Sequence, residues 1–391
     1  RSLLSNIGGN EMGSCSAKMF KGSFPSKNEN FRELCRRLKS TGVRLEAVLE
    51  PSGTYSTAIR SLFNDIGLPT YQVQGKRVKD AREVFDGVPS SHDAKSAAIL
   101  VWLHAQGISR PWPFDSVRKR ALGALSKTAE RHAKLLRRRQ GHLEARMALH
   151  WPRYFDIIGV ETSSALRLLS VFGSPDNVAR NPHQARQLLL RVSRHKLSKA
   201  KIDALLESAA DHHGLPMISE EAQLVMALAS EAVEARERHH AARKKVEQRS
   251  KNEVPETFRK MVGGYTAGAL VGMGLDPAES ESPNSYINAL GLNLRETSSG
   301  TVNGRVHITK RGNPEARRLL HFVAMRHIKE DPIVRAWFSR WKRRSPGNQG
   351  MKGVTAVVRK LAKALWHVAR GEPFDAQLLY NAKHLASDIT H

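Results

Sequence analysis

Near the start of the chain the apolar positions change period repeatedly. Residues 45–49 form a short apolar run that ends at Glu50-Pro51-Ser52-Gly53, the pattern of a strand running into a turn that also opens a helix. Residues 57–66 have helical spacing and stop at Gly67, a natural helix C-cap. Residues 70–73 read as another short strand. Ser90 or Ser91 supplies a cap for a helix from Asp93 to about His104. Strands alternating with helices predict an α/β layer over residues 1–110. Residues 108–113, with prolines on both sides of Trp112, read as a hinge out of that layer.

From Phe114 onward the period is helical almost throughout. Leu122, Leu125, Ala129, Ala133, Leu136, Leu143 and Met147 recur on one face, and residues 118–146 carry ten basic side chains against Glu130 and Glu144. After Pro216 a second long helix is predicted. Its Val225, Leu228, Ala232, Ala235, His239, Ala242 and Val246 step by three and four in turn, a heptad seam. The seam residues are small and one is His, so the seam is weak or needs a partner. The two helices are expected to pair as an antiparallel hairpin with residues 151–215 as a helical tip. The plainer alternative is two surface helices of a bundle. Residues 251–255 read as a linker, residues 256–375 as a helical third unit with a Gly- and Ser-rich middle, and the end from residue 386 as a frayed tail.

Composition adds a partner class. The 391 residues hold 63 Lys plus Arg against 37 Asp plus Glu, a formal net charge of +26. Such a surplus attracts polyanions; nucleic acid leads, and an anionic membrane surface is the alternative. Cys15 and Cys35 are the sole cysteines and stand in no metal-type spacing, which excludes a disulfide scaffold and a zinc ribbon and suits a reducing cytosol. The longest apolar run, residues 97–103, falls far short of the roughly 20 residues a membrane span needs. No signal-peptide pattern is expected. The sequence starts at Arg1 rather than Met, as a fragment would.

Four features carry candidate chemistry. Glu50 at a strand end and Asp93 in the first turn of a helix can share a divalent metal, since Mg²⁺ takes hard oxygen ligands and few protein groups; helix-dipole stabilisation is the alternative for Asp93. Arg295-Glu296-Thr297-Ser298-Ser299-Gly300 places serines among cations, where a hydroxyl can face a phosphate; a common loop is the alternative. Residues 261–267, with Gly263, Gly264 and Thr266, offer a glycine turn before a helix, suited to phosphate contact or to close helix packing. The fourth feature runs from Arg305 through Lys310, Arg311, Asn313, Arg317 and Arg318 to Trp337, Phe338, Trp341, Lys342, Arg343 and Arg344. Cations supply backbone affinity and aromatics stack on bases, although core packing is expected for at least one of these aromatics. The histidines form no metal motif, and His212-His213 and His239-His240, on helices in polar surroundings, read as solvated.

In order and spacing, these features resemble one family over most of the chain. It is the transposases of the insertion-sequence one-ten group, with the Piv/MooV invertases as relatives. Glu50-Pro51-Ser52-Gly53-Thr54-Tyr55 is similar to the family's Glu-x-(Thr/Ser)-Gly-x-Tyr, and residues 84–90 leading into Asp93-Ala94-Lys95 resemble the stretch before its Asp-x-x-Asp-Ala. Residues 261–267 resemble the Gly-rich start of its C-terminal domain. Ser299-Gly300, then Thr309-Lys310-Arg311-Gly312-Asn313 and Arg317-Arg318-Leu319-Leu320, resemble its Ser-Gly and Gly-Asn-x-x-x-Arg-x-x-Leu signature.

The resemblance implies a fold of α/β plus α. A RuvC-like (ribonuclease-H-type) domain would occupy 1–110, a helical coiled-coil region 111–250, and a mostly helical, serine-bearing transposase domain 251–391. In the family, acids in the pattern Asp-Glu-Asp-Asp hold Mg²⁺ and the serine forms a covalent phosphoserine link to DNA. A structured non-coding RNA guides the choice of DNA, and the protein works as a tetramer in the bacterial cytoplasm, away from membranes. The implied catalytic residues here are Ser299, Glu50 and Asp93, with both acids holding the metal. Two acid positions depart from the pattern: Asn6 stands where the first Asp is expected, and Ser96 at the fourth. Weakened Mg²⁺ binding is therefore expected. A decayed or domesticated nucleic-acid-binding protein is the second expectation, and a basic helical structural protein the third.

Overall fold

The computed structural model describes residues 45–51, 53–299, 302–344 and 350–380, with isolated positions 33, 36, 37, 40 and 42 before them. Asn6, both cysteines and the tail from residue 386 lie outside the described residues. The chain divides into two compact units, residues 1–116 and 117–391.

In the first unit β1 (Ala47–Leu49) pairs in parallel with β2 (Thr70–Gln72), and β2 pairs antiparallel with β3 (Arg110–Pro111). A parallel pair needs a crossover, and α1 (Thr54–Asp65) supplies it. Two short helices, α2 (Gly75–Asp80) and α3 (Arg82–Asp86), precede α4 (Asp93–Ala105). Val73, Val78, Ile99 and Leu103 form one buried cluster, and Ala47, Leu49 and Phe63 another. Neither expected serine caps α4. His92 does: extended backbone there aims its Nδ1 at the Lys95 N–H, which donates at 3.1 Å. The expected hinge at 108–113 is held in place. Its β3 extends the sheet, the Trp112 N–H donates to the Thr70 carbonyl at 2.7 Å, and the Arg60 guanidinium lies 4.0 Å over the Trp112 ring. Arg60 is 3 % exposed and also bonds the Pro113 carbonyl.

The second unit starts with α5 (Val117–His150), 34 residues or about 50 Å long. Five helices follow: α6 (Tyr154–Ile158), α7 (Ser163–Phe172), α8 (Pro175–Arg180), α9 (Pro182–Ser193) and α10 (Lys199–Ala210). The 35-residue α11 (Ser219–Glu253) then returns along α5. The pairing is antiparallel: the Arg139 guanidinium meets Glu231, and His239 Nδ1 donates to the Ala129 carbonyl at 2.9 Å. The small seam residues pack within the chain itself, with Ala129, Ala232 and Ala235 almost fully buried.

Two cores share this hairpin. The tip core gathers Leu143, Met147, Trp151, Tyr154, Leu166, Leu169, Leu205 and Val225. The base core joins Leu122, Ala129, Ala242 and Val246 to residues from Val254 to Tyr380. The expected linker at 251–255 is correspondingly no linker. Helix α11 runs through Glu253 and stops only where Pro255 pushes Val254 into an extended backbone; Val254 itself is buried in the base core. Beyond it come α12 (Glu256–Val262), α13 (Gly264–Gly272), a single 3₁₀ turn (Pro277–Glu279) and α14 (Pro283–Leu290). Within the unit expected to be helical, part of the Gly- and Ser-rich middle forms an antiparallel hairpin of β4 (Leu294–Ser299) and β5 (Val302–Ile308). Four helices close the unit: α15 (Pro314–Glu330), α16 (Pro332–Arg344), α17 (Gly350–Val368) and α18 (Ala376–Tyr380).

Candidate functional site

The acidic candidates sit in the first unit. Glu50 directly follows β1 at the carboxyl end of the parallel pair and is exposed. Its carboxylate lies against the Cα of Gly75, where a side chain would collide with it. Asp93 is the exposed first residue of α4, and Ser96 follows one turn later, half-buried. Among the described residues no group of three or more His, Cys, Asp or Glu side chains is placed to hold a metal. Glu50 and Asp93, the two ligands the resemblance implies, are each a solvent-facing carboxylate. That suits Mg²⁺ with waters and a substrate phosphate completing its shell, rather than an all-protein cage.

Sequence reasoning passed over Lys95. It is 5 % exposed, and its ammonium donates to Asp86 Oδ1 at 2.6 Å and to the Val88 carbonyl. The hydrogen bond from Lys95 holds the Asp86 carboxyl below its ordinary range. This staple fixes the 86–88 turn beside the start of α4, where Asp93 stands. The signal was present: a Lys inside an otherwise apolar helical stretch, nine residues after an Asp.

In the second unit the segment 309–320 forms a clasp. Gly312 runs against the end of α14 so closely that a Cβ would lie 2.6 Å from the Ala289 carbonyl oxygen. Gly291, at φ 69, turns the chain out of α14, and its carbonyl accepts the Lys310 N–H at 3.0 Å. Asn313 caps α15 by accepting from the N–H of Glu315 at 2.9 Å and of Ala316 at 3.4 Å. One turn on, Arg317 donates back to the Leu290 carbonyl at 3.1 Å, and Leu320 is buried. The Gly-Asn-x-x-x-Arg-x-x-Leu spacing therefore ties α14 to α15. Between them the Thr309 N–H donates to the Asn293 carbonyl at 2.9 Å, and Arg359 donates to the Leu292 carbonyl at 2.8 Å. The root of the β4–β5 hairpin is pinned from several sides.

Ser299 is the last residue of β4, paired with Val302 across the turn, next to a register shift between Thr297 and Ser299. Its side chain and that of Arg305 lie outside the described residues. Arg318 donates to both Glu315 oxygens, and these bonds hold the Glu315 carboxyl below its usual range and raise Arg318. Lys310 and Arg311 are exposed, as are Lys342, Arg343 and Arg344 in the last turn of α16.

Gly263, at φ 88, separates α12 from α13. The glycines after it serve close packing. A Cβ on Gly264 would stand 2.9 Å from Glu247 Cγ, and one on Gly268 2.9 Å from Val246 Cγ1. Thr266 is half-buried. Of the aromatics weighed for stacking, Trp337 and Phe338 pack on the base core, and the Trp341 ring lies over Gly353.

Residues 260–338 match the model of the Transposase IS116/IS110/IS902 family. The match runs from α12 into α16, so it spans the glycine turn, the β4–β5 hairpin and the clasp. No curated protein matches the chain.

Proposed function

From the premise that the chain carries a domain of this insertion-element transposase family, we propose that it is a transposase acting on element ends and target DNA through Ser299. The observation that carries this is the serine's place. It stands at the turn of a hairpin whose root is clasped by the matched segment, in a chain of net charge +26.

In the proposed reaction the Ser299 hydroxyl oxygen attacks a backbone phosphorus and gives up its proton. A serine–phosphorus bond forms, the strand's own P–O bond breaks, and the departing oxygen takes up a proton. Glu50 and Asp93 are the residues that would hold Mg²⁺, which when bound polarises a phosphate and eases ionisation of a hydroxyl. The first unit would serve as the RuvC-like domain; Glu50 at the carboxyl end of the parallel strands supports that, since α/β sheets place ligands there. The α5–α11 hairpin would be the coiled-coil arm of a tetramer, and the basic stripe on α5 would meet a guide RNA.

The test is a strand-cleavage assay with element ends, the adjacent non-coding RNA and Mg²⁺. A covalent protein–DNA adduct, lost in Ser299→Ala, is expected. No adduct even after Asn6→Asp with Ser96→Asp would overturn the proposal. One observation favours a second reading. Ser96 follows Asp93 by one turn, so the pattern would leave two anionic ligands where the family has four, as in a copy that has lost chemistry and kept binding. Restoration of the adduct by those two substitutions would establish that decay.

A further inference from the structure

Helix α15 presents an aromatic ring to solvent inside the matched segment. Its inner face is buried at Leu319, Leu320, Val323 and Ala324, whereas Phe322 is 58 % exposed and Met325 46 % exposed. The two are three residues apart and so share one outer face. A lone exposed apolar side chain needs no explanation. Phe322 is different because of what surrounds its ring. The Arg318 guanidinium sits 5.5 Å from the ring centroid, held in place by its hydrogen bonds to Glu315, and the His321 ring meets it edge-on at 5.8 Å.

The neighbourhood is cationic beyond α15. The charges of Lys134 and Arg137 on α5 act on Glu315, and Arg243 on α11 lies 4.5 Å over the Tyr265 ring, whose hydroxyl also senses Arg318. Arg137 and Arg243 are exposed. A partner that uses both halves of this surface needs a polyanionic backbone and a free π-face. Duplex DNA has the first and hides the second in its stack. An unpaired strand offers both, because base–aromatic stacking tolerates any base.

We infer that Phe322 is a stacking platform for an unpaired stretch of the DNA strand, with Arg318 bracing its ring and the α5 and α11 cations following the phosphates. This rests on the transposase reading, since breaking and rejoining strands exposes unpaired DNA.

The experiment measures binding of the full chain to labelled oligothymidylate, to a mixed-sequence DNA duplex and to oligouridylate, across a salt series. Phe322 is exposed, so its replacement leaves the core intact. Phe322→Ala should weaken oligothymidylate binding roughly 5- to 100-fold, leave duplex binding unchanged and keep the salt slope, because no phosphate contact is lost. Phe322→Trp should retain binding, and Phe322→Leu should lose it as Ala does. Equal loss on duplex, no loss on the single strand, or full retention by Phe322→Leu overturns the proposal; the last would mark an apolar protein-docking surface. Loss confined to oligouridylate overturns the assignment to DNA. If the wild-type chain binds duplex while Phe322→Ala leaves single-strand binding intact, only this inference falls. If the wild-type chain binds no DNA at all, the transposase reading falls with it.

Discussion

A methyl group on Gly272 would land 2.5 Å from the backbone nitrogen of Gly123 and 2.6 Å from the carbonyl carbon of Leu122. Ordinary contact begins near 3.4 Å, so α13 would have to move about 1 Å off α5. Nothing at this crossing can rotate aside, because both surfaces are backbone. The reciprocal position is equally tight, with a Cβ on Gly123 falling 2.7 Å from the Gly272 oxygen. Overpacking of this kind costs about 1–3 kcal/mol. The gain in helix propensity from Gly to Ala, at most about 1 kcal/mol, is reduced at the last residue of a helix. Gly272→Ala should therefore lose about 1–2 kcal/mol, a fall in Tm of roughly 2–8 °C for a unit of this size. Gly141 is the internal control. It lies within α5, where a Cβ would face open space, so Gly141→Ala should gain about 0.5–1 kcal/mol. Thermal unfolding of the full chain, followed by calorimetry and far-UV circular dichroism, reads both. A Gly272→Ala protein as stable as wild type, or two substitutions that shift Tm in the same direction, would refute the close crossing.

Other sites make separate claims. Asn313→Ala should cost about 1 kcal/mol in denaturant unfolding through loss of the α15 cap, whereas Asn313→Asp should be near neutral. Burial lowers the pKa of His239 and of His327. Their stabilising contribution is then full above the unfolded value of about 6.5 and is lost as pH falls through the lower folded values. Unfolding midpoints should drop on acidification, and His239→Gln should flatten the drop; an unchanged profile would refute its part in it. Lys95→Met should speed amide exchange across residues 86–92 while β1 and β2 stay protected; unaltered exchange would mean the staple does not hold that turn.

The helical hairpin was legible because a heptad step and a basic stripe both survive in the sequence. What the sequence hid was how tightly small residues let α5 and α11 approach, so a seam of alanines looked weak. The β4–β5 hairpin was missed for a different reason. Residues 294–299 hold one apolar side chain and show no alternation, while Val302, Val306 and Ile308 do alternate with Asn303, Arg305 and His307 but over a short stretch broken by Gly304. Glu50 and Asp93 were legible as carboxylates at element ends. The clasp was legible as a motif but not as architecture: only the fold shows Asn313 used as a cap and Arg317 spent on the Leu290 carbonyl. Lys95 was passed over because a charge buried by a turn nine residues away leaves no periodic trace, and its one mark is a Lys set in an apolar helical stretch.

The two cores strung along one helix pair impose an order on synthesis. The tip core is complete once residues 143–233 have emerged. The base core takes Leu122 from the start of α5 and Tyr380 from near the end of the chain. At about 5–20 residues per second, the apolar stripe at the foot of α5 waits roughly 7–30 s on the ribosome after the tip has closed. A nascent chain is therefore a folded tip on an unsupported stalk, and the root of the β4–β5 hairpin gains its bond from Arg359 only once α17 has emerged.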